Sequence, residues 1–221
     1  MSALLAAAAA GLPVLAGWSV HAMRMSRRIE AARRDPLTGL WTREAFEARA
    51  ARALTRRSQA AVVLVDLDGF KAVNDQHGHA VGDAVIRAAA GGITEVLTDH
   101  PGAVAGRLGG DEFAAVVPVA DPAVAPWLAD ALHGIITAPF QHSGRDLTIG
   151  ASIGLALTSD LPADHGDALA GLLRLADEAM YAVKQSGGGW QHAGFAPRCG
   201  TTAGRRTGRP GAHTMNRREA A

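Results

Sequence analysis

The 221-residue sequence predicts one α/β domain, a sandwich of helices on a mixed central sheet that includes a β-hairpin. Three observations predict it. Helix-periodic stretches alternate with short apolar runs. One run, Ala60 to Val65 (AAVVLV), is continuously apolar, which suits a strand buried on both faces. Gly109-Gly110 sits between two β-like runs, where a tight turn would join them.

The elements follow in order. Thr42 to Arg57 (TREAFEARAARALTRR) sets Phe46, Ala50 and Leu54 on one helical face, with Thr42, Glu44 and Glu47 as a plausible start. Ala60 to Val65 is the first strand, and Val81 to Leu97 reads as a helix. Ala103 to Leu108 and Glu112 to Val119 read as the two hairpin strands. Pro122 to Ile136 is helical, and Leu147 to Leu157 (LTIGASIGLAL) is β-branched and alternating, hence a strand. Asp167 to Gln185 is a last helix, with Leu172, Leu175, Ala176, Ala179, Met180 and Val183 along its core side. No internal repeat is evident.

Composition narrows the function classes. Hydrophobic residues are 48% and charged residues 19%, which suits a buried core and not a disordered chain. The single cysteine, Cys199, excludes an internal disulfide and a Cys-rich zinc site. The net charge of +1 hides a split. Asp35 to Trp190 hold 11 Lys and Arg against 19 Asp and Glu, while arginines dominate both ends. An acidic body repels a polyanion unless metal ions intervene, so no nucleic-acid partner is expected.

Met1 to Met23 carry no Asp, Glu, Lys or Arg, and Arg24, Arg27 and Arg28 follow at once. The run LLAAAAAGLPVLAGWSV approaches the ~20 residues of a bilayer span. The expectation is a single membrane helix over residues 1–23, N-terminus out, with the body on the cytoplasmic side of the inner membrane. Residues 24–34 then form a basic juxtamembrane linker. The tail, residues 191–221, is rich in Gly, Thr, Arg and Pro without an apolar period and is expected to be disordered.

The chemistry gathers at strand ends. Asp66 and Asp68 end the first strand, and Asp111 and Glu112 sit at the hairpin turn. If those strands are neighbours, Asp66 and Asp111 converge at one rim, where both cannot stay ionised without a cation. Carboxylates with a backbone carbonyl suit Mg²⁺ or Mn²⁺, and two such ions support an in-line displacement at phosphorus. The loop after Asp66 (LDGFKAVND) opens a helix or a tight turn, where backbone N–H groups can bind phosphate, with Lys71 within reach. No Walker motif is present, which disfavours a P-loop NTPase.

These residues resemble a known family. Gly109 to Phe113 spell GGDEF, the signature of diguanylate cyclases, and Arg107-Leu108 precede it as is common there. DPLTGLWTREAF (Asp35 to Phe46), DLDGFKAVNDQHGHAVGD (Asp66 to Asp83), ASIGLA (Ala151 to Ala156) and ADEAMYAVKQSG (Ala176 to Gly187) are similar to further family motifs. The resemblance covers residues 35–190 and implies a palm-like nucleotide cyclase sandwich with a central mixed sheet and the GGDEF β-hairpin. It implies condensation of two GTP into cyclic di-GMP with release of pyrophosphate, by a homodimer in which each half-site holds one GTP and two Mg²⁺ or Mn²⁺ ions.

By position, the resemblance makes Asp66, the Leu67 carbonyl, Asp111 and Glu112 metal-binding. Asp111 also helps to deprotonate the attacking 3′-hydroxyl, and Glu112 serves the second metal or the loop geometry. Gly109 and Gly110 let the nucleotide pass over their backbone. Asn74 and Asp83 read guanine. Phe70 and Lys71 contact the β- and γ-phosphates, Lys71 acting in catalysis, and Lys184 reaches the γ-phosphate. Read without the resemblance, Asp68 is a helix N-cap, Asp83 a first-turn acid and Lys184 a solvated helix lysine. His77 and His79 are assigned no ligand role.

Three departures carry expectations. Gly187-Gly188-Gly189 stands where the family usually has Gly-Arg-Asn, which implies weaker GTP binding, tightened again by Gly188→Arg. His100 to Ala103 stand where many relatives carry the Arg-x-x-Asp product site, which implies no product inhibition there. Thr42 stands where Asn is usual. The alternative to the cyclase is a degenerate domain that responds to a nucleotide without turnover; an ATP-using cyclase is disfavoured by Asn74 and Asp83.

Overall fold

The computed structural model describes residues 18, 21–26, 28, 30–56, 59–162 and 166–195. Its elements are β1 (Trp41–Thr42), α1 (Arg43–Thr55), β2 (Ala60–Asp68), α2 (Phe70–His77), α3 (His79–Thr98), β3 (Val104–Gly109), β4 (Glu112–Pro118), α4 (Ala125–Thr137), β5 (Phe140–His142), β6 (Arg145–Leu147), β7 (Gly150–Leu157), α5 (Ala168–Ser186) and β8 (Gly189–His192). Six strands form one sheet in the order β1-β3-β4-β2-β7-β8, and β5 with β6 makes a separate ribbon. The sheet is mixed: β2 is antiparallel to both β4 and β7, while β1 with β3 and β7 with β8 are parallel.

Side-chain alternation along β2 explains the two layers. Ala61, Val63, Val65 and Leu67 enter a core with Ile86 and Ile93 of α3 and Leu128 and Leu132 of α4. Ala60, Val62 and Leu64 enter a second core with Phe46 of α1 and Leu172, Ala176 and Met180 of α5. Burial on both faces is why the run is apolar without a break. Asp66 shares the parity of Ala60, Val62 and Leu64, so its side chain leaves the sheet on the α1/α5 face.

The layer over that face is close. A Cβ at Gly154 of β7 would lie 1.9 Å from the Ala176 carbonyl oxygen and 2.5 Å from the Met180 nitrogen. Only a glycine lets α5 rest on the strand at that distance. The helix begins at Asp167, whose carboxylate accepts a hydrogen bond from the Ala170 N–H, and ends at Gly187 in the left-handed conformation (φ 104°).

Several sequence expectations are corrected. The first strand runs on to Asp68, because β7 offers partners as far as Gly150. The stretch after it, read as opening a helix or a tight turn, is the helix α2, separated from α3 by Gly78 (φ 83°). The strand expected over Leu147 to Leu157 is divided: Arg145–Leu147 pairs back on Phe140–His142, and only Gly150–Leu157 joins the sheet. Gln191 and His192, given above to the tail, are in β8, held by parallel pairing to Gly154 and Leu155. Residues 196–221 of that tail lie outside the described residues.

The expected membrane helix, and with it the placement at the inner membrane, is also corrected. Among the described residues, no helix is long and apolar enough to cross a membrane. Trp18 within the run and residues 21–26 just after it are helical and exposed, and Arg24 is among the latter. Residues 1–17, 19 and 20 of the expected membrane segment lie outside the described residues.

Candidate active site at the strand rim

The register of β2 on β4 brings the acidic residues together. Asp66 lies directly opposite Glu112, so both carboxylates stand on one face. Asp111 is in the turn just before Glu112, and the Leu67 N–H donates to its carbonyl at 3.3 Å. A strand residue's N–H and C=O point the same way, so the Leu67 carbonyl also faces the turn.

The cluster is electrostatically stressed. Burial pushes the Asp111 carboxyl up from its ordinary value, and the charge on Asp66 adds to this. Burial also raises Glu112, with Asp66 and Asp111 adding and Arg43 opposing. One cation is already at hand: Lys184, near the end of α5, places Nζ 2.5 Å from Asp66 Oδ2. The parity of β2 and the close seat of α5 at Gly154 together produce that contact.

The hairpin turn is held from the N-terminal motif. Asp35 accepts hydrogen bonds from the Thr38 N–H and hydroxyl at 2.9 and 2.7 Å. It also pairs with Arg107 at 3.2 Å. Arg107 in turn donates to the Gly110 carbonyl through Nε (3.0 Å) and Nη2 (2.7 Å). Gly109 (φ 147°) and Gly110 (φ 54°) adopt backbone that other residues rarely take. Arg43 donates to the Leu108 carbonyl at 3.0 Å and lies 3.5 Å from Glu112.

Sequence reasoning missed the roles of Arg43 and Arg107. Arg107 was visible only as a neighbour of the signature. Arg43 is one of several arginines on a helix, and nothing in the sequence marks it. Asp68 is also corrected: it caps no helix. Its carboxylate accepts from the Ser152 hydroxyl at 2.8 Å, and the residue before α2 is Gly69 (φ 70°), with no side-chain cap.

The other residues that the motifs imply for the site lie on α2 and α3. The Ala72 and Val73 N–H groups bond to the Gly69 carbonyl, leaving those of Phe70 and Lys71 open at the helix start among the described residues. Lys71 pairs with Asp75 at 2.8 Å and its side chain is 87% exposed. Asn74 is on α2, and Asp83 is on α3, 3.9 Å from Arg87. Gly188 has φ 99°, and a Cβ there would sit 3.0 Å from Asp68 Oδ2. An arginine at this position is therefore strained, which qualifies the expectation for Gly188→Arg.

Among the described residues, no three His, Cys, Asp or Glu side chains stand together as a ready metal cage. The donor set of the rim nevertheless fits a hard divalent cation. It comprises carboxylate oxygens and a carbonyl, with Asp66 raising its neighbours Asp111 and Glu112, on an edge where phosphate or water oxygens would complete a coordination sphere.

The sequence profile described as "Diguanylate cyclase, GGDEF domain" matches residues 32–189. The chain belongs to this family. The GGDEF domain is 45% identical over 177 residues to a 19.3 kDa protein of Streptomyces ambofaciens, covering 80% of this chain and 91% of that one. It is 40% identical over 164 residues to the diguanylate cyclase TpbB of Pseudomonas aeruginosa, covering 72% of this chain and 36% of that protein. The chain thus spans about a third of TpbB's length. Among solved structures, the isolated GGDEF domain of TpbB superposes with a TM-score of 0.65 at 39% identity, covering 72% of this chain and 94% of that one. The GGDEF domain of DgcB from Caulobacter crescentus, solved in complex with c-di-GMP, has a TM-score of 0.65 at 28% identity, covering 74% of this chain and 96% of that one. Family and fold agree with the palm-like sandwich that the motifs imply.

Proposed function

We propose that this GGDEF domain is a diguanylate cyclase that joins two GTP molecules into cyclic di-GMP. In each of two symmetric steps a 3′-hydroxyl attacks the α-phosphorus of the other nucleotide, a P–O bond forms, and pyrophosphate leaves. The observation that carries the reading is the facing pair Asp66 and Glu112, with Asp111 and the Leu67 carbonyl at the same rim. The naming of TpbB as a diguanylate cyclase supports it.

Asp66, Asp111, Glu112 and the Leu67 carbonyl are the groups that would hold Mg²⁺ or Mn²⁺. A cation there supplies charge neutralisation of the phosphates and activation of the hydroxyl. Asp111, raised by burial, accepts the proton of the attacking hydroxyl more readily than an ordinary aspartate. The open N–H groups of Phe70 and Lys71 and the Lys71 ammonium receive the terminal phosphates. Lys184 exchanges Asp66 for the γ-phosphate. Asp83 accepts N1–H and N2–H of guanine, with Asn74 beside it, and adenine cannot offer that pair of donors. Each domain holds one GTP, so the reaction needs two copies of the chain.

A second reading, a nucleotide-responsive module without turnover, is favoured by one observation. Gly187, Gly188 and Gly189 all have positive φ, so that segment is shaped for glycine and not for the family's Arg. Incubating the full chain with GTP and Mg²⁺ and weighing the products decides between them. Cyclic di-GMP with two pyrophosphates per product supports the cyclase. Bound but unchanged GTP supports the module.

A further inference from the structure

Gly82 lies in the first turns of α3 with ordinary helical backbone, so no unusual φ requires a glycine there. Glycine is also the costliest residue in a helix interior after proline. What the position does show is a missing side chain with something in its place. A Cβ at Gly82 would lie 2.0 Å from Asn74 Oδ1, 2.9 Å from Cγ and 3.3 Å from Nδ2. Asn74 projects from α2, which folds back across the start of α3 at Gly78, and its carboxamide lies in the hollow that Gly82 leaves. Gly82 is buried, while Asn74 is half-buried and its side chain spends no hydrogen bond on the described residues. Van der Waals contact with Gly82, not hydrogen bonding, therefore sets where the amide lies. The next residue along α3 is Asp83.

We propose that Gly82 is a specificity-determining positioning residue: its absent Cβ is the seat that holds the Asn74 carboxamide beside Asp83, so a residue that never touches the base governs how well guanine is told from adenine. This rests on the reading of Asn74 and Asp83 as the base-reading pair. The atom that a new Cβ would displace is the far end of a side chain, not backbone. Gly82→Ala thus leaves the fold in place and moves the amide.

The test compares the full-length wild type, Gly82→Ala, Asn74→Ala and the double variant. The probes are non-hydrolysable GTP and ATP analogues with Mg²⁺, and thermal melting is read in parallel. The expected result is a loss of GTP-over-ATP preference of about tenfold in either single variant, the scale of one hydrogen bond. The double variant loses no more, since both changes remove the same interaction. The melting temperature of Gly82→Ala stays at the wild-type value or rises. Full preference in Gly82→Ala alongside a loss in Asn74→Ala overturns the proposal and leaves the base-reading pair standing. An unchanged preference in Asn74→Ala overturns that pair itself, as does a wild type that binds neither analogue. A Gly82→Ala protein that melts early and is rescued by adding Asn74→Ala overturns the proposal too, because the seat would then serve the fold.

Discussion

Lys184 and Asp66, 118 residues apart, meet at 2.5 Å across the rim. The ammonium, 48% exposed on its side chain, neutralises the least exposed carboxylate of the cluster, 12% exposed on its own. If the proposed cation site lies at Asp66, this ammonium competes with it, and the exposed lysine side chain leaves room to move away. Lys184→Met is expected to strengthen Mn²⁺ binding without nucleotide by about threefold, the modest scale of a solvent-screened pair. The same variant binds the GTP analogue more weakly. Isothermal titration with each ligand alone reads both effects, and their opposite signs distinguish an exchanging counterion from a damaged site.

Asp111→Asn is expected to separate stability from chemistry. Burial and the neighbouring Asp66 raise the Asp111 carboxyl. A raised acid contributes stability below its unfolded-state value and loses it as pH rises through the folded one. The variant is therefore more stable than wild type at neutral pH, and the difference fades on acidification. Turnover falls by at least about a hundredfold, the scale for loss of a group that acts on developing charge. Thermal melts across pH and a product assay check the two halves.

Asp35 has the opposite sign. Burial pushes its carboxyl up, but the hydrogen bonds from Thr38 and Arg107 outweigh this and hold it below the ordinary value. Its stabilisation is complete above the unfolded value of about 3.9 and is lost as pH falls through the lower folded value. Asp35→Asn is expected to cost about 1–3 kcal/mol near neutral pH, since Arg107 then loses its charged partner. Urea denaturation shows the gap to wild type closing on acidification below about pH 4.

Gly154→Ala forces a methyl into the backbone of α5, with the Ala176 carbonyl oxygen only 1.9 Å from its position. Nothing flexible stands there to give way. A loss of about 1–3 kcal/mol is expected from overpacking. The lysine on that helix is displaced as well, so the Mn²⁺ affinity of this variant moves in the direction of Lys184→Met.

Gly188→Arg sets two effects against each other. Backbone at φ 99° costs a side chain about 1–3 kcal/mol. Under the proposed function, the added guanidinium, near Asp68, would supply a charge for the terminal phosphate. The expected outcome is a lower melting temperature together with a lower Michaelis constant for GTP. An unchanged constant would show that the position no longer faces the nucleotide.

How much of this was legible in the sequence depends on the length of each element. The long ones were plain, because α3, α5 and the apolar β2 each carry enough residues for a period to emerge. The ribbon β5–β6 was missed: three-residue strands have no period, and its one signal was Ser143-Gly144, both with positive φ, as a tight hairpin turn requires. The strand β8 was missed because its stabilisation lies in pairing to β7, with Trp190 its one large apolar residue. At the site, the sequence placed Asp66 at a strand end and Asp111 and Glu112 at a turn, and left their meeting to the condition that the two strands are neighbours, which the β2–β4 register supplies. The buttress from Asp35 through Arg107 to Gly110 was not legible, since it spans 72 residues between its first two members and leaves no periodic trace.

The most direct test of the rim is metal-dependent nucleotide binding in wild type and Asp66→Asn. Titrating Mn²⁺ into each protein in the presence of a non-hydrolysable GTP analogue, the wild type is expected to bind the metal–nucleotide complex and the variant to lose that binding. Equal affinity in the two proteins would contradict the assignment of the catalytic cation to the Asp66 edge of the sheet.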